Sequence, residues 1–125
     1  MAHRLGDVIY SKEKVPPEVA SKAEAHIPKI EAPDRVKSGQ EFQLKVSVGP
    51  HPNTVEHSIR WIEIYLYEEG RVFNPIHIAR IEFAPGYTVP EVVVKLRLER
   101  KCIIYAVSYC NLHGVWEARK EIDVE

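Results

Sequence analysis

Cysteine is scarce in this chain, with Cys102 and Cys110 the only two among 125 residues. Two thiols are too few for the disulfide framework of a small secreted domain, and with no secretory leader visible they are expected to be reduced. Long apolar runs are missing too. The opening Met1-Ala2-His3-Arg4-Leu5-Gly6-Asp7 has no signal-peptide core, and nothing approaches the roughly 20 apolar residues a bilayer crossing needs. The expectation is a cytoplasmic protein with no membrane partner. Charge of one sign is also lacking. The net charge is −1, with Lys and Arg scattered among Asp and Glu, so no basic stripe exists to neutralise phosphates and nucleic acid is not an expected partner. Internal repeats, low-complexity stretches and interdomain linkers are absent as well.

What is present is a globular composition, 45% hydrophobic and 28% charged, in a length that suits one domain over residues 1–125. Phe42, Leu44, Val46 and Val48 alternate with Gln43, Lys45 and Ser47, as a half-buried strand does. Ile59 to Tyr67 is rich in β-branched and aromatic residues and stops at the turn signal Glu68-Glu69-Gly70. Ile76 to Phe83, Val92 to Leu98, Ile103 to Tyr109 and Trp116 to Val124 continue the series, and Lys29 to Val36 reads as a short, proline-interrupted edge strand. About seven short strands with no helical periodicity among them predict an all-β fold, an immunoglobulin-like antiparallel β-sandwich. Helix is confined to the front, where prolines followed by good helix formers over Pro16 to Glu24 predict one short helix.

Two stretches carry chemistry. His51-Pro52-Asn53-Thr54-Val55-Glu56-His57 joins two predicted strands, and Cys110-Asn111-Leu112-His113-Gly114 joins two more. Loops of a sandwich gather at its ends, so the two stretches can share a pocket, with His26 arriving from the predicted helix. That makes up to five soft or borderline ligands, against the four that satisfy a structural zinc. Each alone has an ordinary alternative: Cys110 as a small buried hydrophobe, His113 and His26 as loop histidines, Pro52 and Asn53 as turn formers. Cys102 reads as a packed core thiol, Trp61 and Trp116 as core, with Trp116 able also to pack beside the Cys110 loop, and His3 and His77 as incidental.

Together, Glu24-Ala25-His26-Ile27-Pro28, His51 to His57 followed by Ile59-Arg60-Trp61-Ile62, and Ser108-Tyr109-Cys110-Asn111-Leu112-His113-Gly114 resemble the superoxide reductases, the neelaredoxin and desulfoferrodoxin iron proteins. The resemblance runs from about Glu24 to the C-terminus. Two cysteines cannot build the second, four-cysteine iron centre of the longer members, so the chain resembles the short, one-iron class. The resemblance implies one iron per chain, cycling between Fe2+ and Fe3+. Its ligands would be His26, His51, His57 and His113 around the equator and an axial Cys110 thiolate, with the sixth position open to solvent. Imidazole suits ferrous iron, and a thiolate opposite an open position pushes electron density toward it. The implied reaction joins superoxide, one electron and two protons into hydrogen peroxide.

The resemblance further implies a homotetramer, a rubredoxin-like electron donor, and residues 1–25 as an N-terminal extension carrying the sixth-ligand loop. There Glu24 would occupy the sixth position in the oxidised resting form. Ala25 departs from the family, whose members commonly place a lysine there to attract the anion. Either catalysis tolerates the loss, or another cation substitutes; Lys22, one helical turn earlier, is the first candidate, ahead of Lys29 and Lys101. Backbone amides of Asn111 and Leu112 are expected to donate to the Cys110 sulfur. The competing reading of the same residues is a β-sandwich module with a structural zinc and no redox activity.

Overall fold

In the computed structural model, which describes residues 3–125, alternation along the chain becomes two facing sheets. The strands are β1 (Lys29–Glu31), β2 (Arg35–Val36), β3 (Phe42–Ser47), β4 (Ile59–Glu68), β5 (Ile76–Glu82), β6 (Glu91–Leu96), β7 (Cys102–Cys110) and β8 (Gly114–Val124). β1, β3 and β6 form one sheet in that order, and β2, β8, β7, β4 and β5 form the other. Pairing is antiparallel except where β2 runs parallel to β8. The predicted edge strand over Lys29 to Val36 is in fact two. Pro33 cannot donate to a ladder, and the chain leaves one sheet at Glu31 and joins the other at Arg35.

The core lies between the sheets, where Phe42, Leu44 and Val46 of β3 meet Ile62, Ile64 and Leu66 of β4 and Cys102, Ile104 and Ala106 of β7. A register shift in β4 between Ile59 and Trp61 lets Ile59 and Ile62 both point inward although they are three positions apart. It also turns Trp61 outward, so this tryptophan is not core. It stacks on Tyr109 with ring centroids 5.7 Å apart, and the Arg80 guanidinium lies 4.6 Å above it.

Ahead of the sheets come α1 (Leu5–Val8), a 3-10 turn over Pro17–Lys22 and α2 (Ala23–His26). The predicted helix therefore splits in two, a proline-led 3-10 turn and one α turn that ends on His26. α1 is a single turn of four residues whose start is capped by the Asp7 carboxylate accepting the Arg4 N–H at 3.1 Å. No helix among the described residues is long and apolar enough to cross a membrane.

Candidate metal centre

Five side chains from three segments converge at one end of the sandwich. One ligand atom from each of His26, His51, His57, Cys110 and His113 lies within 4.8 Å of all the others. Pairing of β4 with β7 brings this about: Ile59 sits opposite Cys110, so the loop before β4 and the turn after β7 emerge side by side. Asn111 locks them together, its side-chain oxygen accepting the Ser58 N–H at 2.9 Å and its NH2 donating to the Glu56 carbonyl at 2.9 Å.

The His51 to His57 loop is held at both ends. Asn53 donates to the Thr88 carbonyl at 3.1 Å and accepts the Gly86 N–H at 2.9 Å, while the Arg60 guanidinium donates to the Val55 carbonyl at 2.6 Å. Asn53 is thus an anchor as well as a turn former. Gly49, at φ +132°, aims the chain into His51; an added Cβ would come within 3.1 Å of the His51 nitrogen. On the other side, β7 delivers Ser108 beneath α2, where its hydroxyl donates to the His26 carbonyl at 3.2 Å.

The imidazoles are oriented by what holds their far nitrogens. His26 Nδ1–H donates to the Lys22 carbonyl at 2.7 Å and His51 Nδ1–H to the Pro52 carbonyl at 2.7 Å, which leaves both Nε2 atoms as bare lone pairs. Those two Nε2 atoms face each other at 3.0 Å, and His113 Nδ1 lies 3.2 Å from His26 Nε2 and 3.7 Å from Cys110 Sγ. His57 Nε2 is buried with no hydrogen-bond partner. Lone pairs aimed at one another repel, and an orphaned buried nitrogen is costly, so this set fits a cation at its centre. The rings also close a cycle, His26 to His51 to His57 to His113 and back, with neighbouring centroids 4.6–5.0 Å apart and planes 69–87° to each other. Cys110, fully buried at the end of β7, completes the set. Four nitrogens and one sulfur exceed what a closed structural zinc takes and suit iron.

A model for desulfoferrodoxin matches residues 18–119. The chain belongs to the desulfoferrodoxin family. A protein of Thermotoga maritima described as a putative superoxide reductase is 42% identical over 118 residues, covering 83% of this chain and 90% of the relative. The neelaredoxin of Megalodesulfovibrio gigas is 36% identical over 116 residues, covering 81% and 88%. Among solved structures, the superoxide reductase (neelaredoxin) of Ignicoccus hospitalis superposes with a TM-score of 0.92 at 58% identity, covering 98% of this chain and all of that one.

Within this family frame, the remaining predicted residues divide. Lys22 is exposed, lines a cavity of about 320 Å³ together with His113, Leu112 and Trp116, and its charge is felt at His113. Glu24 is exposed on α2 and is not among the five converging residues; two helical positions before His26, it points to a different side of the turn. The Asn111 amide donates to the Ser58 carbonyl at 3.3 Å and not to sulfur. His77 binds the Glu63 carboxylate at 2.9 Å on the outer sheet face, away from the cluster. Cys102 is a buried free thiol pushed up to about 11 by burial and by the Glu68 charge. Trp116 is buried and, as its place beside the Cys110 loop allows, also belongs to the site: it stacks on the His26 ring with centroids 5.2 Å apart and donates its indole N–H to the His113 carbonyl at 2.9 Å.

Burial holds the pKa of His26, His51 and His113 below the ordinary value near 6.5, with neighbouring imidazoles, and Lys22 at His113, adding to the effect. All three are neutral ligands at pH 7. Below about pH 6.5 the unfolded chain takes up protons that the folded chain refuses, so metal-free protein loses stability as pH falls through that point. Thermal unfolding of metal-free protein at several pH values from 7.5 to 5.5 should show a steadily falling midpoint; a midpoint that is flat or rises on acidification contradicts the assignment.

Proposed function

We propose that this chain is a superoxide reductase, with one iron per chain held by His26, His51, His57, His113 and Cys110. The observation that carries this is the convergence of four imidazoles and one buried thiol on a single point. Bound there, iron supplies the one-electron step between Fe2+ and Fe3+. The reaction takes superoxide, one electron and two protons to hydrogen peroxide, and the balance closes without release of dioxygen. Cys110 brings an electron-rich sulfur that β7 shields from solvent, and the Nδ1 bonds of His26 and His51 keep their Nε2 atoms turned inward.

Residues 1–125 act as one domain, in which residues 1–25 form an extension that brings α2 to the site. Glu24 would serve as a further ligand to the bound iron, reaching it by a shift of α2; the support is that this helix is a single turn with no side-chain cap holding its start. Lys22 replaces the cation absent at Ala25, supported by its place beside His113 in one cavity. The electron donor is a rubredoxin-like protein, by family resemblance. A homotetramer is supported by the outer face of the five-stranded sheet, where Trp61, Tyr65, Tyr105, Val107 and Val115 line an apolar hollow of about 730 Å³ instead of the polar face of a solvated sheet. Light scattering should give the mass of four 14.4 kDa chains, and a monomeric mass rejects this assembly.

Iron-loaded, oxidised protein should contain about one iron per chain and show a visible thiolate-to-iron band that Cys110→Ser removes and Glu24→Ala shifts. A colourless protein with stoichiometric zinc, even after ferrous reconstitution, selects the structural-zinc module instead. An unchanged band in Glu24→Ala shows that this carboxylate never reaches the iron.

Lys22→Ala should slow association with superoxide by about two- to fivefold at low salt and flatten its salt dependence, as removal of one unit charge near the mouth requires. Ala25→Lys should do the reverse. Pulse radiolysis at several ionic strengths measures both, and a parent rate unmoved by loss of Lys22 removes this residue from the mechanism.

A further inference from the structure

Trp116 is only 1% exposed, yet it stands outside the apolar cluster between the sheets. Its burial has another source. The segment after α1 runs parallel to β8 for one bridge, with the Tyr10 N–H donating to the Val115 carbonyl at 3.1 Å and the Glu117 N–H to the Tyr10 carbonyl at 2.8 Å. That bridge sets the Tyr10 ring against the indole, centroids 4.8 Å apart at 45°. The indole in turn touches two of the five candidate ligands, one by stacking and one by a hydrogen bond. Gly114, between His113 and this pair, has φ +85° and would set a Cβ 3.7 Å from the Tyr10 ring, so the turn leaves Tyr10 close room.

From this stack we infer that Tyr10 and Trp116 are positioning residues for the metal centre: Tyr10 presses Trp116 onto His26 while the indole N–H fixes the turn that carries His113. A histidine ring has two freedoms, rotation about its bond to Cβ and tilt of that bond. The Lys22 carbonyl restrains the His26 ring only at Nδ1. The face of Trp116 restrains its tilt, and Tyr10 keeps water from loosening the indole. Tyr10 forms no ring pair or hydrogen bond with a candidate ligand among the described residues, and acts through Trp116. It also lies before residue 18, where the family match begins, so part of the centre's rigidity comes from a segment outside the matched stretch.

The interaction needs an aromatic ring at position 10 and no hydroxyl, since no hydrogen bond of the Tyr10 hydroxyl is found among the described residues. Outer contacts that orient metal ligands are worth about 10- to 100-fold in metal affinity.

The inference rests on the five-ligand reading, and its test uses cobalt(II) as the probe, so that no superoxide activity is needed. Full-length protein is loaded with cobalt, its visible bands are recorded, and the rate of cobalt loss to a chelator is measured. Tyr10→Ala and Tyr10→Leu should both lose cobalt roughly tenfold faster, with altered bands, while Tyr10→Phe matches the parent. Trp116→Phe, which keeps a ring over His26 but lacks the N–H to the His113 carbonyl, should fall between. Ser11→Ala, which removes the Ser11 hydroxyl contact to the Lys14 N–H, is the control for loose docking of the segment. If Ser11→Ala speeds cobalt loss as much as Tyr10→Ala, or if Tyr10→Leu keeps the parent's rate and bands, the positioning role is wrong. A parent that takes up no cobalt overturns the five-ligand reading and this role with it.

Discussion

The ladder between β4 and β7 is the constraint from which the site follows. It pairs the strands from Glu68 and Cys102 at one end to Ile59 and Cys110 at the other. Its far end opens into two connections that must lie side by side because their strands do. Cys110 is placed by the ladder itself, as the last inward residue after Cys102, Ile104, Ala106 and Ser108. The rigidity of paired backbone thus passes into the position of a sulfur atom, with no loop between. His113 closes the three-residue turn after Cys110, and Asn111 ties that turn to the neighbouring loop. The ligand best fixed is the one on a strand, and the others are fixed by hydrogen bonds to strands.

Much of this was legible in the residues. Alternation located the strands because one face of each is buried, and the ligand-bearing motifs stood out because histidine and cysteine interrupt strand-like sequence at turns. What was not legible depends on contacts between distant segments. The break of Lys29 to Val36 into β1 and β2 is marked only by Pro33, and nothing local shows that the second half crosses to the other sheet. Trp61 faces outward through a shift of one residue in β4, which a pattern of period two cannot reveal. The sequence places Trp116 beside the Cys110 loop, but its ring partners, Tyr10 and His26, lie about ninety residues or more away, and no single-chain periodicity links them. Asn53 reads as a turn former and Asn111 as a backbone donor to sulfur, while their clamping side-chain bonds reach across to other loops.

The same residue pattern explains how a binding site is kept ready. Ordinarily a buried histidine is satisfied at both nitrogens. Here His26 and His51 are satisfied at one, and the free lone pairs are gathered with His57 Nε2 in one small volume. Backbone carbonyls at Lys22 and Pro52 choose the tautomer, so neither ring has to shed a proton or rotate to become a ligand. The local cost is repulsion between nitrogens, and the sheets on either side supply the packing that withstands it.

β7 begins and ends on cysteine, and both face the same way. Eight residues of extended chain separate them by about 27 Å, so the two sulfurs cannot bridge. The distance has a chemical meaning, because hydrogen peroxide, which oxidises thiolates, is made at one end of the strand. Cys102 at the other end is 2% exposed with its pKa pushed up to about 11 by burial and the Glu68 charge, so it stays a thiol at neutral pH. The protein holds one thiol where the oxidant is born and keeps its only other thiol buried and protonated, a form that peroxide oxidises poorly.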